Sequence, residues 1–433
     1  MFGLMEQRAR LCAAVLIVLG ALSVLARPAL AVSDRMLVTL IANGQVEEAR
    51  ALFASQGPTE TDWLFFEGRV AKADGDFDRA IQVFRDVLLR DPSYLAARRE
   101  LAHSLLLVGD YRASAHHFRT LLRIDPSEEL RRGYVTFLDE IDRLRPFSLS
   151  GRFAIISSTN INRGSSQERF QPGVPNAPSF DITSQAEPGT GVELGLAGRH
   201  LWRRDNGFRW TLDWDLSTRQ FSDSSHNSFS ASTRLQYARL SAQSRWSVGP
   251  FAHRLWTENE QDDRLDLGVS FSTDRRLNAR NTLFLSVSGE QRDNLSGDAN
   301  DGPLYWMQFG LARSVQDGVL TVGTRLIAHR PERAHLQYDG QSVFAHISRA
   351  WSGGLQGGIG IELGQRSYAA LFPLAGVARA DDYAQINISA HHEAIRFGRF
   401  MPTLRCTFGR TSSNVAFYDH DIEECTIGVT TRF

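Results

Sequence analysis

The sequence predicts a two-domain α + β protein, an N-terminal α-helical solenoid followed by a C-terminal transmembrane antiparallel β-barrel of about fourteen strands. Three observations carry the prediction. In the first third of the chain a helical pattern returns after 34 residues. From Phe147 onward apolar and polar residues alternate strictly. The connections between the alternating segments are short and long by turns. The expected divisions are 1–31 as a secretory signal, 32–146 as the helical domain and 147–433 as the barrel.

The signal is read from Arg8 and Arg10 as a positive n-region, the apolar run from Leu11 to Leu25, and Ala29-Leu30-Ala31 as a small-residue cleavage site. That run is shorter than the roughly 20 residues a membrane-spanning helix needs. No later stretch approaches that length, and barrel strands escape such a scan because only every second residue is apolar. The charge balance of 48 Lys+Arg against 49 Asp+Glu gives no case for a nucleic-acid partner. The expected setting is the outer membrane of a Gram-negative bacterium, with the helical domain in the periplasm.

The helical repeat is seen where Gly75-Asp76-Phe77 returns as Gly109-Asp110-Tyr111, Phe84 as Phe118, and Asp91-Pro92 as Asp125-Pro126. Its period resembles the tetratricopeptide repeat (TPR). Gly68, Ala80, Phe84 and Pro92 fall on that repeat's small, small, aromatic and proline positions, and Ala102, Ser114, Phe118 and Pro126 follow in the next copy. Small residues let antiparallel helices approach, the aromatic fills the gap between hairpins, and proline ends the second helix. A degenerate copy with Gly44, Val46, Ala49 and Phe53 precedes them. A final helix from Glu128 to Leu144 is expected to cap the stack before Arg145-Pro146. The TPR resemblance implies a partner-binding groove lined by first helices, which puts Phe65, Arg69, Lys72, Arg99 and His103 in it. Ordinary solvated positions would carry the same residue types.

The alternation is clearest at Phe208, Trp210, Leu212, Trp214 and Leu216, which interleave with Arg209, Thr211, Asp213, Asp215 and Ser217. Such a strand needs one apolar and one wet side. Segments of this kind start near Phe147, Gly189, Gly207, Ser228, Ala242, Arg264, Asn281, Pro303, Val319, Gln341, Leu355, Tyr383, Phe397 and Asp421. Tight connections at 203–206, 316–318 and 352–354 alternate with longer ones at 163–188, 293–302 and 368–382, the asymmetry of an outer-membrane barrel. The wet face carries both signs, including Glu193, Arg199, Arg209, Asp213, Asp215, Arg234, Asp266, Arg325, Glu362 and Arg405. Both an open and a plugged lumen fit. The last strand, with Ile427 and Val429 alternating toward a terminal Phe433, looks like the C-terminal signal read by the barrel-assembly machinery. A soluble β-sandwich also alternates, but it does not predict the signal segment, the loop asymmetry and the terminal Phe together.

No nucleophile elbow, phosphate loop or spaced Cys/His metal set occurs, so no catalysis, metal or cofactor is expected. The adjacent His391 and His392 point to opposite faces of a strand. Cys406 and Cys425 lie on the apolar parity of the last two strands, where they can be cross-strand neighbours. In an oxidising periplasm a disulfide and two free thiols both fit.

The signal, short repeat region, capping helix, first strand ending Ser158-Thr159-Asn160-Ile161-Asn162-Arg163, and barrel with a terminal Phe together resemble the surface lipoprotein assembly modifiers (Slam). Asn160, Ile161 and Asn162 are the most specific local sign. The resemblance implies a translocon that helps lipoproteins, or soluble secreted proteins, reach the cell surface. Its implied partners are the outer-membrane bilayer, the barrel-assembly machinery and a client protein. A channel for small solutes and a polysaccharide exporter are the alternatives. Exporters of that kind carry many more repeats.

Overall fold

The computed structural model describes residues 34–173, 176–203, 207–258, 260, 262–392, 395 and 400–430. The segment expected to be a signal and the terminal Phe433 lie outside the described residues.

The chain divides after Pro58. The first unit holds α1 (Asp34–Ala42) and α2 (Val46–Ala54). In the second unit α3 (Glu60–Ala73), α4 (Phe77–Arg90), α5 (Leu95–Leu107), α6 (Tyr111–Ile124) and α7 (Glu128–Leu144) form the helical stack. The Gly-Asp-aromatic signature is a turn device. Gly75 and Gly109 sit at φ +80° and +79°, where a glycine costs no steric clash. The aspartate that follows each one caps the next helix: Asp76 Oδ1 accepts from Arg79 N and Asp110 Oδ1 from Ala113 N. The degenerate first copy keeps the glycine, Gly44 at φ +78°, but has Gln45 at the cap, whose side chain bonds Glu48 and makes no capping bond to the backbone.

Packing explains the small positions. A Cβ on Gly68 would lie 2.6 Å from the Phe84 ring, so only glycine lets α4 come this close to α3. Phe84, Val87, Leu101 and Leu105 form one core. Phe118, Leu121, Tyr134, Leu138 and Ile141 form the next, and Leu240 of the barrel packs against it.

The barrel strands are β1 (Phe147–Ser158), β4 (Gly189–Arg203), β5 (Phe208–Phe221), β6 (Ser228–Leu240), β7 (Ser244–Thr257), β8 (Arg264–Arg276), β9 (Asn281–Asn294), β10 (Gly302–Val315), β11 (Gly318–His329), β12 (Tyr338–Ala350), β13 (Leu355–Leu371), β14 (Ala378–His392), β15 (Met401–Ser413) and β16 (His420–Thr430). The short β2 (Arg169–Phe170) and β3 (Phe180–Asp181) pair within the first long loop. The fourteen barrel strands are antiparallel and close where β1 meets β16, from Arg152↔Thr430 to Ser158↔Glu424. Closure removes the free edge that an open sheet would present.

The two parities separate as a lipid-facing wall requires. Leu194, Leu267, Val269, Ile361 and Ile427 are exposed on the outside, and the intervening positions carry the charges. Observed strand starts fall within a few residues of the expected ones, with one informative difference. β14 starts at Ala378 rather than near Tyr383. Arg379 and Asp381 read as a loop in sequence, but they pair through two bonds of 2.8 and 2.6 Å and are almost fully buried. The Arg379 guanidinium lies 3.3 Å from the Tyr418 ring centre and 4.4 Å from that of Tyr368. Pairing satisfies the charges, so the strand continues through them.

Candidate functional site

Phe65, Arg69 and Lys72 recur at helical spacing on α3, and Arg99 and His103 on α5, so each set shares one helix face. Lys72 Nζ meets Glu100 Oε2 at 2.5 Å and joins the two helices. Phe65 lies against Phe84 and Tyr94, and Arg69 stands over the Phe65 ring. Arg99 donates to Asp125 Oδ2 at 3.0 Å, an oxygen that also accepts from the Tyr134 hydroxyl. Burial works against the charge on Arg99, but Tyr134 and Asp125 outweigh it and hold the guanidinium above its usual value. Burial, helped by Lys72 and opposed by Glu100, pushes His103 down. The face is therefore less basic than its residue types suggest, because Lys72 and Arg99 are both paired.

A second face was not singled out in the sequence. Arg112, His116, Arg119 and Arg123 follow helical spacing along α6, and all four line a cavity of about 1120 Å³ in the short-turn end of the barrel. A second cavity, about 770 Å³, is lined by Arg85, His116 and His117 together with inner-wall residues such as Arg152, Glu193 and Asp215. The helical stack thus occupies the short-turn mouth. Arg209 on β5 donates to Asp142 at 2.7 Å and to Asp139 at 3.1 Å, both on α7. Arg276, at the end of β8, donates to the backbone carbonyls of Arg123 and Asp125. Arg131 on α7 returns a bond to the carbonyl of Ala242. The α6 spacing was legible in the sequence; its destination was not.

Farther into the lumen the charges pair along the inner wall, several of them reaching past an intervening strand. Arg152 grips Asp215 with two bonds of 2.6 and 2.9 Å and Glu193 with a third of 3.0 Å. Arg219 meets Glu424 at 2.6 Å. Arg325 meets both oxygens of Glu362, which also accepts from Ser342 and Tyr383. Asp266 receives His253 and Arg264.

At the long-loop end Asn160, Ile161 and Asn162 act as a clamp. Asn160 is buried; its amide donates to the carbonyls of Gly164 and Asp421, and its carbonyl accepts from Gly164 N. The Ile161 amide donates to the Glu187 carbonyl. Asn162 bonds the Gln185 carbonyl and Glu187. Together they fold the first long loop back on itself and onto the start of β16. Phe170 and Ile182 of that loop then pack with Ala375 and Val415 from two other loops.

Glu187 also approaches Asp223 and His226, with ligand-type atoms within 4.8 Å of one another, and His226 bonds Glu187 at 3.0 Å. Sequence spacing did not suggest this trio, which the loops assemble from distant segments. It is the one such group of three among the described residues.

Cys406 and Cys425 are directly opposite in the β15–β16 register, with Cα atoms 4.1 Å apart, and are joined as a disulfide on the outer face. Ile427 and Val429 share that outward parity in β16, and Ile427 is 64% exposed.

Residues 147–433 match the surface lipoprotein assembly modifier family, and residues 71–133 match a tetratricopeptide repeat. The chain is 20% identical to a surface lipoprotein assembly modifier of Pasteurella multocida (strain Pm70), over 87% of this chain and 77% of that protein. It is 23% identical to surface lipoprotein assembly modifier 1 of Neisseria meningitidis serogroup B (strain ATCC BAA-335 / MC58), over 36% of this chain and 31% of that one. Among solved structures, the P. putida toluene transporter TodX overlaps 68% of this chain and 92% of its own, with 9% identity and a TM-score of 0.38. An overlap of that size has no bearing on function.

Proposed function

Since this chain belongs to the surface lipoprotein assembly modifier family, we propose that it is an outer-membrane translocon that helps particular lipoproteins or secreted proteins reach the cell surface. In this reading the barrel spans the outer membrane, the helical domain lies in the periplasm, and the barrel-assembly machinery reads Ile427, Val429 and Phe433. The protein works by binding and guiding a polypeptide, without catalysis.

One observation carries the reading: the repeat domain is seated in the short-turn mouth, with α6 facing the lumen. A polypeptide held by the repeats would already be at the lumen entrance. The charged, wet inner wall suits an extended chain whose backbone must stay hydrated.

The test is co-expression with a client lipoprotein, scored by surface labelling of intact cells. Removing residues 32–146 should abolish display while the barrel still shows heat-modifiable migration. Undiminished display without the repeats would overturn the capture role. Loss of small-solute uptake in cells lacking the protein, with display of every neighbouring lipoprotein intact, would replace it with a channel.

A further inference from the structure

The short-turn mouth holds more positive charge than its own acids neutralise. Seven arginines and three aspartates line its cavity. Every aspartate is already engaged: Asp213 with Arg199, Asp274 with Arg245 at 2.7 Å, and Asp142 with Arg209 at 2.7 Å. Arg119 reaches Asp142 only at 3.9 Å. Arg276 directs its donors to backbone carbonyls. Among the described residues the guanidinium groups of Arg123 and Arg145 have neither a hydrogen-bond acceptor nor an ion-pair partner.

Electrostatics at α6 point the same way. Burial, and then the neighbouring Arg245, hold Arg123 below its ordinary value. Arg119 is lowered by burial, with Asp142 opposing and Arg199, Arg209 and Arg245 adding to the effect. Like charges gathered this closely are costly unless an anion joins them.

We propose that this cavity is an anion site that receives a carboxylate-rich, extended segment of the client polypeptide. The proposal rests on the translocation reading above and deepens it by naming the client chemistry. A polypeptide suits the site better than a lipid headgroup. Its arginines lie on the lumen side of a closed wall, whereas an acyl-anchored headgroup stays with the bilayer on the other side. Leu201 and Phe284 stand among the charges and offer apolar contacts to intervening side chains.

The test uses the full-length protein in detergent and a rhodamine-labelled peptide of about twelve residues rich in Asp, compared with the same peptide carrying Asn, by fluorescence anisotropy. The acidic peptide should bind at least about tenfold tighter and weaken with added salt, because exposed charges are screened over about 8 Å at physiological ionic strength. The double variant Arg119→Glu, Arg123→Glu should lose that preference, and the Lys counterpart should retain it, with heat-modifiable migration confirming the fold of both. Equal binding of the Asn peptide, or an acidic preference that survives the Glu variant, would overturn the proposal. So would variant-sensitive binding of tripolyphosphate without any binding of the peptide, which would mark a small-anion site. Surface display in the same cells separates the two levels. No peptide preference with normal display removes only this site, and client display that is normal in cells lacking the protein removes the translocation reading itself.

Discussion

Arg209 on the inner wall of the barrel and Asp142 on the last helix of the repeat domain meet at 2.7 Å, with side chains only 12% and 10% exposed. They lie 67 residues apart in sequence and tie together two regions of different secondary structure. Asp139 shares the same guanidinium. Replacing Arg209 with Ala takes the shared guanidinium away from Asp142 and Asp139 in a confined place and leaves Asp142 only the more distant Arg119, at 3.9 Å. The expected cost to docking is about 3 kcal/mol. Limited proteolysis should cut the linker around Arg145-Pro146 faster in Arg209→Ala than in the parent, with the barrel core still resistant.

Acid should loosen the same junction through His116. Burial, followed by Arg98, Arg123, Arg119 and His391, lowers this imidazole to about 4. A histidine depressed in the folded state contributes stability that is present above its unfolded value, near 6.5, and is lost as pH falls toward 4. Protease protection of the helical domain is expected to decline over that window. His116→Asn should flatten the decline, and an unchanged profile in that variant would assign the acid sensitivity to other groups.

The capping aspartates allow a graded test of the repeat. Asp76→Ala and Asp110→Ala each remove a side-chain cap and should cost about 1 kcal/mol in the helical domain. Gln45→Ala should cost less, since Gln45 makes no cap bond. Urea melts followed by circular dichroism at the helical minimum check the ranking.

At the long-loop end, Asn160→Ala removes three hydrogen bonds, two that fold the first loop onto Gly164 and one that ties it to the Asp421 carbonyl of β16. The loop should become accessible to protease between residues 164 and 187, at an expected cost of about 1–3 kcal/mol for the buried groups left unmet. Heat-modifiable migration should persist, because strand closure does not pass through this clamp.

Non-reducing mass mapping should recover Cys406 linked to Cys425, as the register places them directly opposite. The double variant Cys406→Ala, Cys425→Ala should still form a heat-modifiable barrel, since all the strand hydrogen bonds remain. Loss of the barrel would make the bond a requirement for closure.

The order of residues alone was enough to place most of the elements and their faces. Period-two alternation at Phe208 to Ser217 reflects a wall that is apolar outside and wet inside, and Gly-Asp-aromatic recurrence reflects a left-handed turn followed by a helix cap. Both are local physics, written within a few residues, and the structure has them where the sequence puts them. The buried Arg379–Asp381 pair was illegible as strand because two charges one residue apart look solvated until Tyr368 and Tyr418 close over Arg379. The shared helix faces of Phe65, Arg69 and Lys72 and of Arg99 and His103 were legible from their spacing, but their charge was not, because Glu100 and Asp125 neutralise Lys72 and Arg99 across helices. That α6 faces the lumen and that Arg209 finds Asp142 are set by how the helices pack against the barrel. Such contacts depend on how a helix stack is rotated against a barrel rim, and no spacing along the chain encodes that rotation.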